Sequence, residues 1–286
     1  MKKLLPILGI CTLLVGCSSG ASGYDSTVVD GDKVVVEGED ISITKDDVYK
    51  YLMEEYGTSQ LFDIAMNYIA DKEITDEETI QAKVNETIEK YSSYMTDGID
   101  AYAQQAGFEN GDEYTEKVLK PDAKQQLLKE KYLDEDFDNI VKDYKVRYIK
   151  VITVDTESVA MDIIDKSTSV EAFNDFLDDE DKTGSDVGIV TKENTTVDAN
   201  IIELLDKFTA DGMYSKAIKT SDDKYAVVYV YNTDTAELKD DIRTHLLGLS
   251  SMGTDYEVHY LKKYKFEVFE NKTKEEIDEI NEDYLG

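Results

Sequence analysis

The hydrophobic period of this chain changes at Tyr144, and that change limits its fold more than any other feature. Upstream, apolar residues recur at helical spacing; from Lys145 to Val154 the chain reads "KVRYIKVITV", β-branched and strand-like. Neither a pure helical bundle nor an all-β sandwich accommodates both patterns, so the expected class is α+β.

Residues 44–144 read as helix almost throughout. Thr44 is an N-cap with Asp47 in a capping-box position, Ile43 and Val48 form a hydrophobic staple, and Gly57 is the expected stop. Val48, Leu52 and Tyr56 lie one helical turn apart. Leu61, Phe62, Ile64, Ala65, Tyr68 and Ile69 line a second helix. Thr75 opens a third, with Ile80, Val84, Ile88 and Tyr91 on one face. Gly107-Phe108 and Gly111 mark a turn, and a further helix after Pro121 carries Leu127, Leu128 and Tyr132. Ahead of this stretch, Lys33 to Val36 is a short strand with Gly38 in the following turn.

After the strand at 145–154 come two short helices, near Val159 to Ile164 and Val170 to Leu177. An acidic loop "DDEDKTGSDVG", a helix through Ile201, Leu204, Leu205 and Phe208, and a turn at Gly212 follow. Strands Ala217 to Thr220 and Tyr225 to Tyr231 close the unit, joined by "SDDK". The tail returns to helix from Thr235 to Tyr260, then gives a strand "YKFEVFE" and a last charged helix. A chain that runs helical, α+β, helical is expected to pack its two helical parts together around an insertion. The expected boundaries are a helical domain of 33–144 and 234–286 with an α+β domain of 145–233 inserted in it.

The first 32 residues are of another kind. Met1-Lys2-Lys3 is a cationic start, Leu4 to Val15 is apolar, and "LLVGCSSGASG" turns abruptly small and polar. The apolar run is shorter than the roughly 20 residues a spanning helix needs. An ordinary secretory signal is one reading. A bacterial lipobox is the sharper one, with 1–16 removed, Cys17 carrying lipid as the new N-terminus and the remainder of 17–32 a tether. Several acyl chains at about 0.8 kcal/mol per buried CH2 anchor stably. Cys11 leaves with the leader, so disulfides, cysteine zinc sites and a cysteine nucleophile are excluded.

The charge is extreme. Without the two leader lysines, 29 basic residues face 63 acidic ones, a surface that repels nucleic acid and anionic lipid headgroups. It suits solubility beside a membrane and transient contact with basic unfolded chains.

Several segments resemble PrsA-type foldases, in order along nearly the whole chain after the leader. "VEGEDISITKDDVYKYLMEEYG" is similar to their opening, and "KVRYIKVITV" to the first strand of their parvulin domain. "TGSDVGIV" matches a glycine-aspartate loop through Gly184, Asp186 and Gly188; "ADGMYSKAIKT" matches through Gly212, Ser215, Lys219 and Thr220; "KYAVVYVY" takes the place of the last strand. The resemblance implies a lipid-anchored extracytoplasmic protein whose helical SurA/PrsA-like chaperone body holds unfolded or partly folded secreted proteins. An inserted parvulin domain would speed prolyl isomerisation, and no cofactor would be needed. Such proteins often dimerise through the helical part, so a homodimer is an expectation carried by the resemblance alone.

The same resemblance exposes a departure. The family's active site sets two histidines around an acidic residue or cysteine. Those positions fall at Lys150, Asp178 and Ala226, and the chain's two histidines, His245 and His259, lie beyond the segment. Lysine offers no acceptor at neutral pH and alanine no side-chain hydrogen bond. Isomerase activity is therefore expected to be weak or lost. Arg147 is retained and reads as a surface residue; Met213 and Phe208 occur where a proline pocket would be lined but read as core.

Other chemistry finds no support. Asp179, Asp181, Thr183 and Gly184 mimic the start of a calcium loop, yet Val190 stands where its bidentate glutamate belongs, so no metal site is expected. Two function classes stand: a surface-anchored chaperone with a degenerate isomerase domain, or a non-catalytic envelope lipoprotein that binds one protein partner or ligand.

Overall fold

A computed structural model describes residues 28–178 and 183–284. The chain divides into two compact units, Met1–Met66 with Leu261–Gly286, and Asn67–Tyr260. In the first, β1 (Val34–Glu37) pairs antiparallel with β2 (Ser42–Thr44), a three-residue strand too short to show a pattern in sequence. The expected capping box then starts α1 (Lys45–Leu52). Asp47 N–H donates to Thr44 Oγ1 (3.1 Å) and Thr44 N–H to Asp47 Oδ2 (2.8 Å). The helix does not stop at Gly57. Met53–Gly57 forms a π-helical turn and α2 (Thr58–Glu73) follows, because Met53 and Thr58 both keep right-handed dihedrals.

The second unit begins within α2, at Asn67, and continues with α3 (Glu77–Lys90), capped by Asp76 rather than Thr75. Then come α4 (Ile99–Gln105), α5 (Gly111–Tyr114), a π turn at Thr115–Leu119, α6 (Lys120–Glu135) with Pro121 in its first turn, and α7 (Phe137–Asp143). Val84, Leu119 and Ala123 pack together between helices. Lys83 and Arg243 both reach Glu130 at 2.8 Å, holding its carboxyl low against the opposing effect of burial.

The sheet follows. β3 (Arg147–Val154) leads through α8 (Glu157–Lys166) and α9 (Val170–Leu177) to β4 (Thr183–Val190). After α10 (Ala199–Ile202) and a 3-10 turn at Leu205–Lys207 come β5 (Gly212–Met213), β6 (Ile218–Lys219) and β7 (Tyr225–Tyr231). The order is β4-β3-β7-β5, β6 also pairs with β7, and every pairing is antiparallel. Two features depart from expectation. β4 occupies part of the segment read as an acidic loop, and the helix expected through Phe208 is only α10 and the 3-10 turn.

Side chains alternate across β3 and give the sheet two covered faces. Ile149 and Val151 face a cluster with Val190, Ile201, Leu205, Phe208, Ala226 and Val228, on the α10 side. Ile152 and Val154 face Ala160, Ile163, Phe173 and Val227, on the α8/α9 side. At the end of the sheet Tyr144, Val146 and Tyr148 join Leu133, Phe137 and Ile140. This third cluster also takes Ile242, Leu246 and Met252 from α11 (Lys239–Leu247) and α12 (Ser250–Lys263).

The first unit resumes at Leu261. Residues 264–270, expected as a strand, are irregular, and α13 (Asn271–Ile280) is the charged last helix. Within this unit Thr58 donates to Glu276 (2.6 Å), and the Phe62 and Tyr284 rings stand 4.7 Å apart. Among the described residues, no helix is long and apolar enough to cross a membrane.

Candidate functional site

Lys150 and Ala226 occupy opposite faces of one sheet. In the β3–β7 ladder Lys150 pairs with Tyr229 and Thr153 with Ala226, three residues apart on each strand, and an odd separation reverses the side-chain direction. Lys150 belongs to the α8/α9 side, where its ammonium donates to Asn174 Oδ1 on α9 (3.1 Å) and meets Asp186 Oδ2 on β4 (3.0 Å). Ala226 is fully buried in the core of the α10 side. Asp178 is the exposed C-cap of α9. The three positions carried over from the resemblance do not form one site, because residue parity separates two of them. Cys17 lies outside the described residues, as do Asp179 and Asp181.

What surrounds Lys150 is a tether. A bulge in β4 sets Gly188 opposite Ile149 and Asp186 opposite Lys150, leaving Val187 as the extra residue. Gly188 adopts φ +72°, a left-handed conformation that glycine accepts without strain. The Tyr231 hydroxyl donates to Asp186 Oδ1 (2.7 Å). Burial works to raise the Asp186 carboxyl, but Tyr231 and Lys150 together hold it below the usual range. Burial and Asp186 push the Tyr231 phenol up, so it stays a donor. Lys150 therefore fastens α9 and β4 to β3, with its charge neutralised and no free acceptor to offer.

Arg147 is half-buried rather than a plain surface residue. Its Nε donates to Phe208 C=O (2.5 Å) and its Nη1 to Val146 C=O (2.6 Å). Phe208 sits in the α10-side core, whereas Met213 packs on the α8/α9-side cluster. The core reading of both residues agrees with this packing, and they do not line a shared pocket. Thr183 and Gly184 lie in β4 and Val190 is buried at its end, so this part of the calcium-loop mimic is extended strand. No cluster of three metal-binding side chains occurs among the described residues.

Among the described residues the fold also forms an open groove of about 820 Å³ at one end of the sheet. Thr153 at the end of β3, Asn194 to Ala199, Ile202 and Glu203 of α10, and the turn Thr220 to Asp222 line it, with Lys192 at the rim. Asx chemistry shapes its walls. Asn194 Oδ1 accepts from the N–H groups of Thr196 and Val197 (both 2.9 Å). Asp198 Oδ2 accepts from Ser221 N–H (2.8 Å) and Oγ–H (2.6 Å), and its Oδ1 from Asn200 N–H (2.9 Å). No catalytic motif marks these residues, though the run "KENTTVDAN" is a turn-forming composition legible in sequence.

The groove offers hydroxyls, carboxylates, an amide and the apolar Val197, Ala199 and Ile202. Among the described residues, none lining it is a histidine or cysteine.

Acid should loosen the turn at Ser221. The Ser221 hydroxyl and N–H hold the Asp198 carboxyl below its ordinary value. A carboxyl whose folded pKa lies below the unfolded one contributes stability above the unfolded value, about 3.9, and loses it as pH falls through the folded one. The protection of the Ser221 and Asn200 amides, relative to intrinsic exchange at each pH, is expected to be constant from neutral pH to about 4 and to fall below that while protection in β7 holds. An equal loss of protection in β7 over that range would show that Asp198 has no such role.

No family model and no curated protein sequence matches the chain. Solved structures do. The peptidylprolyl isomerase PrsA from Bacillus cereus matches at 18% identity over 88% of this chain and 100% of that one, with a TM-score of 0.50. PrsA from Bacillus subtilis matches at 20% identity over 84% and 96%, TM-score 0.40. The foldase protein PrsA from Streptococcus pneumoniae matches at 14% over 88% and 100%, TM-score 0.39. On the Bacillus cereus match, the chain has the α+β fold of a PrsA-type foldase structure.

Proposed function

We propose that this chain is an extracytoplasmic chaperone of the foldase type, anchored through lipid on Cys17, that assists the folding of secreted proteins. In this reading 33–144 and 234–286 form the chaperone part and 145–233 a parvulin-like domain whose isomerase activity is weak or lost. The observation that carries it is the exposed apolar surface of the first unit. Val34, Val35, Val36, Ile41, Tyr51, Leu52, Tyr56 and Ile64 are each 43–60% exposed, and Phe269 is 86% exposed. Scattered exposed apolar residues are ordinary, but so many within one short segment mark an interaction surface. The described part of this unit carries eighteen acidic residues against eight lysines, a rim that suits basic and apolar unfolded chains. The antiparallel sheet with its flanking helices within 145–233 agrees with a parvulin-like domain, and Lys150 and Ala226 stand where the resemblance sets its histidine pair.

Prolyl isomerisation makes and breaks no covalent bond, so a shaped groove retains some capacity to lower its barrier of about 18–20 kcal/mol. The test has two arms, both on the full-length chain in detergent micelles. In the first, an unrelated denatured protein is diluted into the chain, and aggregation should fall in proportion to chain added. In the second, exchange NMR follows a short Xaa-Pro peptide, comparing the native chain with Ala199→Trp, which puts a bulky ring on an exposed residue of the groove lining. Acceleration well below that of a histidine-containing parvulin, abolished by Ala199→Trp, is expected. Unchanged aggregation together with capture of one tight partner would instead favour the non-catalytic envelope lipoprotein.

A further inference from the structure

The groove wall is fastened to helix α12 along two routes, one through Tyr144 and one direct. Lys192, on Tyr144, and Glu193, on Ser251, make the fastening, and the residues directly after them line the groove. Thr191 is buried and accepts Asn194 N–H on its carbonyl (3.1 Å). Lys192 donates its N–H to Tyr144 C=O (2.9 Å) and places its ammonium 4.7 Å from the centre of the Tyr144 ring. Glu193 Oε2 accepts the hydroxyl of Ser251 on α12 (2.6 Å). The Tyr144 ring is itself only 2% exposed, and its hydroxyl stands 2.7 Å from Asp255 Oδ2 and 3.0 Å from Ser251 Oγ, both on α12. From Asn194 onward the same loop forms one side of the groove.

We infer that Ser251 and Glu193 are positioning residues for the groove, so that the placement of α12 sets the groove's width and groove occupancy in turn biases α12. The inference rests on the groove being a polypeptide site, but the coupling itself is geometric. A carboxylate accepting a hydroxyl at 2.6 Å is a short charge-assisted bond, stronger than a neutral one. It connects two segments 58 residues apart in sequence, and it adds to the Asx turns, the Asp198–Ser221 bonds and the buried Ile201 that hold the wall beyond Asn194. Met252 and Leu246 hold α12 and α11 in the same buried cluster as Tyr144, so a shift of α12 reaches Tyr144 through packing as well. Coupling between two sites must be reciprocal in binding free energy, which gives the inference a second readout.

The experiment uses the full-length, isotope-labelled chain in micelles, with Ser251→Ala, Ser251→Thr and Glu193→Gln. The probe is a fluorescein-labelled extended peptide with one Xaa-Pro bond. Ser251→Ala is expected to move the amide resonances of 194–203 in a chain that still folds, with a lowered melting temperature, and to weaken the probe by about fivefold or more. Ser251→Thr, which keeps the hydroxyl, should restore both. In the native chain, saturating probe should shift the amides of 250–256. Unmoved amides at 194–203 in both Ser251→Ala and Glu193→Gln would overturn the inference. If the native chain fails to bind the probe, the polypeptide reading of the groove falls, while the amide shifts still decide whether Ser251 positions the wall.

Discussion

Replacing Phe173 with alanine lowers the unfolding free energy by about 3–5 kcal/mol, the largest effect expected of any core truncation on the α8/α9 side. Phe173 is fully buried on α9, among Ile152, Val154, Ala160, Ile163 and Val227, with its ring 5.4 Å from that of Tyr229. The ring fills the space between two strands and two helices. Both strands are fixed by the β3–β7 ladder, so the site cannot collapse around the gap. Urea titration followed by circular dichroism should show the midpoint falling with the slope unchanged. A loss below about 1 kcal/mol would mean that α9 closes the cavity by moving, and that the Lys150 tether does not hold it.

Gly184→Val is expected to cost about 1–3 kcal/mol or more and to act locally on β4. A Cβ at this position would meet the carbonyl oxygen of Leu177 at 2.8 Å and its Cα at 3.1 Å. Those are backbone atoms, so no rotamer change relieves the contact; either α9 or β4 must move. Hydrogen exchange should therefore rise at the β4 amides that pair with β3 while Val227 and Val228 in β7 stay protected. Unchanged protection in β4 would show that the approach of α9 to β4 is loose. The prediction bears on function because Asp186, the partner of Lys150 and Tyr231, lies two residues along the same strand.

β4 is also where the sequence misled. "TGSDVGIV" contains two glycines, a serine and an aspartate, a composition that normally marks a loop. It is a strand because β3 offers it a complete ladder from Arg147 to Thr153, and because the bulge at Val187 absorbs the break in alternation. Local propensity is weak for strands, and pairing supplies what composition lacks. The opposite error occurred at 264–270, where "YKFEVFE" has strand composition and forms no ladder. The Asx turns of the groove fall between these cases, since Asn194 and Asp198 were readable as turn residues but not as the wall of a site.

What the sequence determined alone was local. Period and capping chemistry placed α1, α3, α6, α8, α9 and α13 and the strands β3 and β7, because a helix cap or an alternating face is settled within a few residues. The order of those elements fixed the α+β class. Which residues share a site was decided only in the tertiary structure. Lys150 and Ala226 look like neighbours in a motif, yet a strand turns each successive side chain to the other face, and the ladder puts these two on opposite sides of the sheet. Conversely Thr153, Asn194, Asp198 and Ser221 are spread over nearly seventy residues and meet at one groove. Glu193 and Ser251 touch across 58 residues because Tyr144 is buried between their segments. Such contacts follow from strand parity and core packing, neither of which a one-dimensional spacing records.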